Sequence, residues 1–175
     1  MGECLRIGIS SCLLGNEVRY DGGHSRNDGI LDSMGELFEL IPFCPEVEIG
    51  LSIPRPPINL VSVSGDIHVR GVNDPSHDVT DALNNYALSI AEQLNELSGY
   101  IFKSRSPSCG LSDVNVYDHK TNQVINTSAG QFAKAITKQY PQLPVEDELG
   151  LSNKKTRDDF IRRVVTYSQR NNNQD

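Results

Sequence analysis

The segment "LRIGISSCLLG", residues 5–15, begins as a short apolar run and ends in a turn of small residues. Residues 5–10 have the length and the composition of a buried strand. Cys12 stands in the turn that directly follows this strand. In open parallel sheets, ligands bind outside the carboxyl ends of the strands. The segment therefore predicts a buried strand with a thiol at the edge where such sheets hold their ligands.

Strand patterns alternate with helical patterns along the rest of the chain. The predicted strands after residues 5–10 are 40–43, 58–63, 67–72, 100–103, 114–117, 124–126 and 143–145. The predicted helices are 28–40, 78–97, 131–139 and 153–169. Apolar residues keep helical spacing through 78–97, and we expect Gly99 to end this helix. The alternation predicts an α/β fold with a mostly parallel sheet flanked by helices.

The composition restricts the class of protein. A chain of 175 residues with 37% hydrophobic residues suits a single domain, predicted over 1–170, with a disordered tail at 171–175. The sequence has neither the run of about 18 apolar residues that spans a membrane nor a secretory signal. We therefore expect a cytoplasmic protein with reduced thiols and no membrane partner. The net charge of -7 argues against broad nucleic-acid binding, which needs clustered Lys and Arg.

Three cysteines come just after predicted strands. Cys12, Cys44 and Cys109 lie in turns rich in Ser, Pro and Gly. If the three strands are parallel neighbours, the three thiols converge on one edge of the sheet. Cys4 precedes the first strand, roughly 26 Å from Cys12 along an extended chain. We expect Cys4 to be a small apolar residue without a role in the site.

Converging thiols of this kind favour a metal site, although a single buried cysteine more often only packs. The separations between Cys12, Cys44 and Cys109 match no local zinc motif such as CxxC. Two chemistries remain open. One is a zinc ion held by three thiolates and a fourth ligand, and the other is an iron–sulfur cluster. With three protein ligands, one iron of a [4Fe–4S] cluster stays open to substrate or water.

Four motifs together resemble the thiouracil desulfidase family. They are "GISSCLLGNEVRYDGG" (8–23), "PFCPEVEIGLSIPRPP" (42–57), "VRGVNDPSHDVT" (69–80) and "KSRSPSCG" (103–110). The resemblance implies a Rossmann-like domain and a [4Fe–4S] cluster bound by three cysteines, with one iron open to substrate. It also implies non-redox removal of sulfur, as sulfide, from 2- and 4-thiouracil and 4-thiouridine monophosphate. Relatives that act on thiolated tRNA carry a further domain, so we expect tRNA to be an unlikely partner here.

The resemblance assigns roles to individual residues. Cys12, Cys44 and Cys109 match the cluster ligands. Glu48, four residues past Cys44, matches the catalytic acid/base, and Ser106 matches a second catalytic residue. Glu46 stands in the same turn as Glu48, and sequence alone separates these two carboxylates poorly.

Other residues near the motifs are candidates for binding the substrate. Arg55 stands between prolines and suits the recognition of an anion. Ser10 and Ser11, with the amides of their turn, suit a phosphate. Tyr20 is a candidate for contact with the base. Ser108 is close to Cys109 in sequence, and its hydroxyl suits a hydrogen bond to substrate or sulfur.

A binding protein is the alternative to an enzyme. The same three thiols would serve a non-catalytic iron–sulfur or zinc protein, such as a sensor or a sulfur carrier. The two functions differ in whether sulfide is released from a thiopyrimidine. The oligomeric state does not follow from the sequence.

Overall fold

The computed structural model describes residues 4–171, and within that range the strands form two four-stranded sheets. The strands are β1 Arg6–Ser10, β2 Glu39–Phe43, β3 Ile58–Val63, β4 Asp66–Gly71, β5 Gly99–Phe102, β6 Val114–Asp118, β7 Val124–Ser128 and β8 Val145–Asp147. The helices are α1 Asp28–Met34, α2 Pro45–Glu48, α3 Thr80–Ser89, α4 Ala91–Asn95, α5 Gln131–Gln139, α6 Glu148–Ser152 and α7 Lys154–Asn171. A 3-10 helix, Ser11–Leu14, directly follows β1.

The first sheet is parallel throughout, with the strand order β2–β1–β5–β8. β1 lies between β2 and β5, and Ile7 is opposite Leu40 on one side and Gly99 on the other. The carboxyl ends of β2, β1 and β5 therefore meet at one edge. The predicted α/β fold, with a mostly parallel sheet flanked by helices, is confirmed.

Helices cover both faces of this sheet. Successive side chains of a strand point to opposite faces, so each strand contributes to two separate cores. Tyr100 and Phe102 pack into one core, to which α3, α4 and α5 contribute. Ile101 packs into the other core, together with Ile7 and Ile9 of β1 and residues of α1, α6 and α7. β1 and β5 are thus buried on both faces, as their apolar sequences require.

The second sheet, β4–β3–β6–β7, is mixed. β3 and β4 form the predicted hairpin, and Ser64 (φ 53°) and Gly65 (φ 94°) occupy the left-handed conformations that a tight hairpin turn requires. β6 pairs with β3 in parallel and with β7 antiparallel. The sequence did not predict a separate sheet, because strand patterns do not specify which strands pair.

The first predicted helix is shorter than expected. α1 ends at Met34, whereas the sequence predicted a helix through residue 40. The amide of Glu39 donates to the carbonyl of Leu5 at 3.0 Å, so the chain is already pairing with the parallel sheet there. Phe38 is buried in the same core as Ile7 and Ile9 of β1, and α1 ends before this residue.

The predicted helix 78–97 is two helices, α3 and α4, which are interrupted at Ile90. Gly99 was predicted to end this helix, but it is the first residue of β5. A Cβ atom at Gly99 would lie 2.9 Å from Cγ2 of Val164. The glycine therefore allows α7 to approach the strand closely, which explains its position without a helix cap.

The last predicted helix, 153–169, corresponds to α7, and the short helix α6 precedes it. The predicted disordered tail, 171–175, lies outside the described residues except for Asn171, which ends α7. Within residues 4–171, no helix is long and apolar enough to cross a membrane.

Candidate active site

A cavity of about 330 Å³ opens at the carboxyl edge of the parallel sheet. It lies where β2, β1 and β5 end, and Cys12, Cys44 and Cys109 all line it. The other lining residues are Ser10, Ser11, Val18, Arg19, Tyr20, Ser25, Phe43, Pro45, Glu46, Arg55, Lys103, Ser104, Arg105, Ser106 and Pro107. The three thiols that were predicted to converge thus share one cavity.

Each thiol is positioned by the element that follows its strand. Cys12 is in the 3-10 helix after β1, and Cys44 precedes Pro45 at the start of α2. Cys109 lies in the loop after β5, and Gly130, at the start of α5, packs against that loop. A Cβ atom at Gly130 would lie 2.6 Å from the carbonyl carbon of Ser108, so only glycine fits this contact.

Cys4 lies apart from this cavity. It is exposed, and its sulfur is 3.8 Å from the carbonyl oxygen of Leu37. The prediction that Cys4 packs as a small apolar residue is therefore wrong, because residue 4 precedes the buried part of β1.

The protein environment keeps the free thiols protonated. Burial raises the pKa of Cys12 to about 11. Burial, followed by the charges of Glu46, Cys12 and Cys44, also raises the pKa of Cys109. Burial also raises the pKa of Cys44, although the backbone N–H of Val47 acts against it. Three thiolates here would repel one another, so they need a bound cationic group to neutralise them. This donor set fits an iron–sulfur cluster.

The three thiols line one cavity but do not form a compact group of metal-ligating side chains. Among residues 4–171, no group of three or more His, Cys, Asp or Glu side chains is close enough to hold one metal ion. A four-iron cluster places its ligands around a body several atoms across, so its three cysteines need not approach one point.

Glu46 is the carboxylate that faces the cavity. Oε2 of Glu46 accepts from Nε and Nη2 of Arg55 at 2.9 and 2.7 Å, and Oε1 accepts from the Ser108 hydroxyl at 2.8 Å. Arg55 also donates to the carbonyl of Val18 at 2.9 Å. The side chains of Arg55 and Glu46 are only 6% and 12% exposed. The Arg55 guanidinium thus lies in an ion pair with Glu46 at the cavity wall, and its predicted role in binding an anion stays a prediction.

Glu48 is not one of the described residues that line the cavity. It is exposed at the end of α2, on the side toward α3. Burial, followed by the nearby Glu48 carboxylate, raises the pKa of Tyr86 on α3. Side chains two residues apart on a helix point about 200° from each other, so Glu46 and Glu48 lie on different sides of α2.

The serines predicted at the site mainly support its loops. Ser10 accepts from the amide of Lys103 at 2.9 Å, and Ser11 accepts from Nδ2 of Asn16 at 2.7 Å. The oxygen of Ser106 accepts from the amides of Ser108 and Cys109 at 3.2 and 3.0 Å. Because its oxygen accepts these two bonds, the Ser106 hydroxyl proton remains available to a molecule in the cavity. Ser108 is buried behind the lining and reaches the site through Glu46.

Tyr20 stands at the rim, where it is 44% exposed. Its carbonyl accepts from the amide of Arg55 at 2.8 Å, and the Arg19 guanidinium lies 5.8 Å from the centre of its ring. Arg19 also donates to the Ser25 hydroxyl at 2.8 Å. Tyr20 and Arg19 therefore form one wall of the entrance, and contact of Tyr20 with the base stays a prediction.

A buried carboxylate that the sequence did not predict supports the far side of the cavity. Glu148 accepts from Nζ of Lys103 at 2.6 Å and from the amide and hydroxyl of Ser104 at 2.8 and 2.6 Å. Burial alone would raise the pKa of Glu148, but these hydrogen bonds outweigh it and hold the pKa below its ordinary value. Glu148 directly follows β8, which ends at Asp147. The sequence predicted that this strand ends at residue 145, so Glu148 was not placed at the sheet edge.

Arg105 is the most exposed part of the Cys109 loop that lines the cavity. It has a left-handed backbone, with φ 59°, and its side chain is 77% exposed. Its carboxylate neighbour Asp113 is 3.9 Å away, which is too far for a strong ion pair. Arg105 also lines an adjacent polar cavity of about 380 Å³ with Asn59, Asn115 and Tyr117.

The sequence and the structure are similar to those of known proteins. Residues 7–148, which contain all three cavity cysteines, match the model of the family described as 2-thiouracil desulfurase. The uncharacterized protein YbbK of Bacillus subtilis (strain 168) is 35% identical over 109 residues, which are 58% of this chain and 71% of YbbK. The solved structure of the [4Fe–4S]-dependent thiouracil desulfidase TudS has 31% identity and a TM-score of 0.64, covering 85% of this chain and 93% of that one.

Proposed function

Because the chain belongs to the 2-thiouracil desulfurase family, we propose that it removes sulfur from small thiolated pyrimidines by a non-redox reaction. Water supplies the oxygen that replaces sulfur on the ring carbon, and sulfide is released. The substrates are 2- and 4-thiouracil and 4-thiouridine monophosphate. One observation carries the proposal: three cysteines from neighbouring parallel strands line the same cavity as the fixed carboxylate of Glu46.

The cofactor is a [4Fe–4S] cluster held by Cys12, Cys44 and Cys109. When bound, such a cluster with three protein ligands supplies a Lewis-acidic iron that can hold the substrate sulfur. The raised pKa values of the Cys12 and Cys109 thiols mean that loading must displace protons, which a cationic group does. Cys4 takes no part, because it is exposed outside the cavity.

Glu46 is the proton carrier of the proposed reaction. Attack of water on the ring carbon requires a base that takes up a proton. Arg55 and Ser108 fix both oxygens of the Glu46 carboxylate at the cavity wall. Glu48 was assigned this role from the sequence, but its exposed side chain is not among the described residues that line the cavity.

Ser106 is the second residue of the proposed reaction. Its oxygen is engaged by two amides of its own loop, so the hydroxyl can only donate toward the cavity. A donor at this position stabilises the charge that develops on a ring nitrogen or on the departing sulfur.

A phosphorylated substrate needs a positively charged side chain that is not held in a close ion pair with a carboxylate of the protein. Arg55 is paired with Glu46, and Lys103 is paired with Glu148. Arg19 and Arg105 also line the cavity, and their nearest carboxylates, Asp21 and Asp113, are 3.7 and 3.9 Å away. Arg105 is the more exposed of the two and also lines the adjacent polar cavity, so we assign the phosphate to Arg105. A nucleoside monophosphate fits this arrangement better than tRNA, since the chain carries a net charge of -7.

The test is anaerobic reconstitution with iron and sulfide, followed by incubation with 2-thiouracil, 4-thiouracil or 4-thiouridine monophosphate. We expect bound iron with visible iron–sulfur absorption and catalytic release of sulfide. Iron binding without sulfide release would favour the sensor or sulfur-carrier alternative. Bound zinc in place of iron would reject both iron-based functions.

A further inference from the structure

The hydroxyl of Tyr100 is a buried polar group without a partner. Tyr100 is fully buried, and within residues 4–171 its Oη is the only buried side-chain nitrogen or oxygen that makes no hydrogen bond. A buried donor that makes no hydrogen bond costs about 1 to 3 kcal/mol. Buried polar groups of this kind are exceptional in folded proteins and point to a missing partner.

The Tyr100 ring is held in place and cannot turn toward solvent. It lies over Gly8, where a Cβ atom would come within 2.4 Å of the ring. It stacks on Phe102 with ring centres 4.2 Å apart and is tilted against Phe43 at 5.7 Å. The hydroxyl therefore has a fixed position and needs a partner that enters the core near it.

Tyr100 lies beside the cavity of the proposed cluster, because its ring centre is 5.7 Å from that of Phe43, which lines the cavity and precedes Cys44. Cys109 belongs to the same core cluster as Tyr100. After burial, the charge of Cys109 is the next largest cause that raises the pKa of Tyr100, and the charges of Tyr86, Cys44 and Cys12 follow. A tyrosine hydroxyl is a hydrogen-bond donor, so its Oη can donate to a sulfur held by these cysteines.

We propose that the Tyr100 hydroxyl donates a hydrogen bond to an anionic sulfur, at the Cys109 side, of the cluster that Cys12, Cys44 and Cys109 hold. This inference rests on the proposed function. Tyr100 approaches from the core, whereas Glu46, Ser106 and the entrance residues line the open side. Its role is to stabilise the loaded site and to tune the cluster electronically, not to contact the substrate.

This hydrogen bond would have opposite consequences in the two states of the protein. In the loaded protein, a donor to sulfur stabilises negative charge, so its removal makes the reduction potential more negative and weakens iron retention. In the iron-free protein, the same hydroxyl is unsatisfied, so its removal relieves a cost. A tyrosine that only packs in the core would not show both effects, a weaker hold on iron in the loaded protein and an unchanged or higher stability in the iron-free protein.

The experiment compares Tyr100→Phe with the wild type under anaerobic conditions, in the iron-free and the reconstituted protein. We measure iron transfer to a chelator, the midpoint potential and the melting temperature of each state. We expect Tyr100→Phe to release iron roughly tenfold faster or more and to have a more negative potential. We also expect its iron-free melting temperature to be equal to or above that of the wild type.

Tyr140→Phe is the matched control. The Tyr140 hydroxyl donates to the carbonyl of Ala91 at 3.0 Å, and the ring packs against the same core cluster. Its loss should lower the melting temperature in both states and leave the potential unchanged. Unchanged iron release and potential in Tyr100→Phe, or a lower iron-free melting temperature, would overturn the Tyr100 inference while the desulfidase proposal stands. A wild-type protein that takes up no iron would overturn both.

Discussion

The Arg55 guanidinium holds the Glu46 carboxylate by two hydrogen bonds to one oxygen, at 2.9 and 2.7 Å. The other oxygen of Glu46 accepts from Ser108, so the carboxylate has one orientation at the cavity wall. Arg55 is in turn anchored by the carbonyl of Val18. This ion pair therefore fixes the orientation of Glu46, the proton carrier of the proposed reaction.

Glu46→Gln should abolish most of the turnover. Glutamine keeps the shape of the side chain but cannot take up a proton at neutral pH, and loss of a general base costs about a hundredfold to ten-thousandfold. The measurement is sulfide released per bound iron, because loss of the charge partner of Arg55 also lowers stability. Glu48→Gln is the matched control, since it removes the neighbouring exposed carboxylate. A larger loss in Glu48→Gln than in Glu46→Gln would return the role to Glu48.

Replacement of a proposed cluster ligand by alanine should remove iron. We expect Cys12→Ala, Cys44→Ala and Cys109→Ala each to bind far less iron after anaerobic reconstitution and to release no sulfide from thiouracil. Cys4→Ala should match the wild type, because Cys4 is exposed and does not line the cavity. A full iron complement in any of the first three variants would contradict the ligand assignment.

Arg105→Ala should discriminate between phosphorylated and unphosphorylated substrates. A charge-assisted hydrogen bond contributes about 1.5 to 3 kcal/mol, so kcat/KM for 4-thiouridine monophosphate should fall roughly tenfold or more. The value for 4-thiouracil should not change, since this substrate has no phosphate. Lys120→Ala, at an exposed turn, controls for the change of net charge. An equal loss on both substrates would show that Arg105 does not bind phosphate.

Glu148→Gln should destabilise the protein at neutral pH by about 1 to 3 kcal/mol, because Lys103 loses its buried partner. The folded pKa of Glu148 lies below the ordinary value of 4.5. Its contribution to stability is therefore complete above pH 4.5 and is lost as the pH falls through the lower, folded pKa. Urea unfolding at several pH values should show the difference from the wild type shrinking below pH 4.5.

Glu36→Gln is the control for this pH series. Glu36 is an exposed carboxylate, and its replacement should change stability little at any of these pH values. A difference between Glu148→Gln and the wild type that stays constant from neutral to acidic pH would contradict the proposed ion pair.

Much of the site could be predicted from local sequence because strand ends define it. A buried apolar run followed by Ser, Pro or Gly places the next residues at the sheet edge, and this applies to Cys12, Cys44 and Cys109 alike. The same signal was weaker for β8, which is only three residues long. The position of Glu148 was missed for that reason.

The strand–helix alternation and the strand ends follow from local sequence patterns, and with them the sheet edge at which three thiols meet. Which polar groups face one another at that edge depends on the packing of distant segments. Glu46 and Glu48 have the same chemistry and nearly the same position along the chain, and the docking of α2 between the cavity and α3 separates them. Arg55 meets Glu46 through such packing, and within the described range 4–171 the buried hydroxyl of Tyr100 makes no hydrogen bond. Local propensity is a property of short segments, whereas the partner of a side chain depends on how those segments fold together.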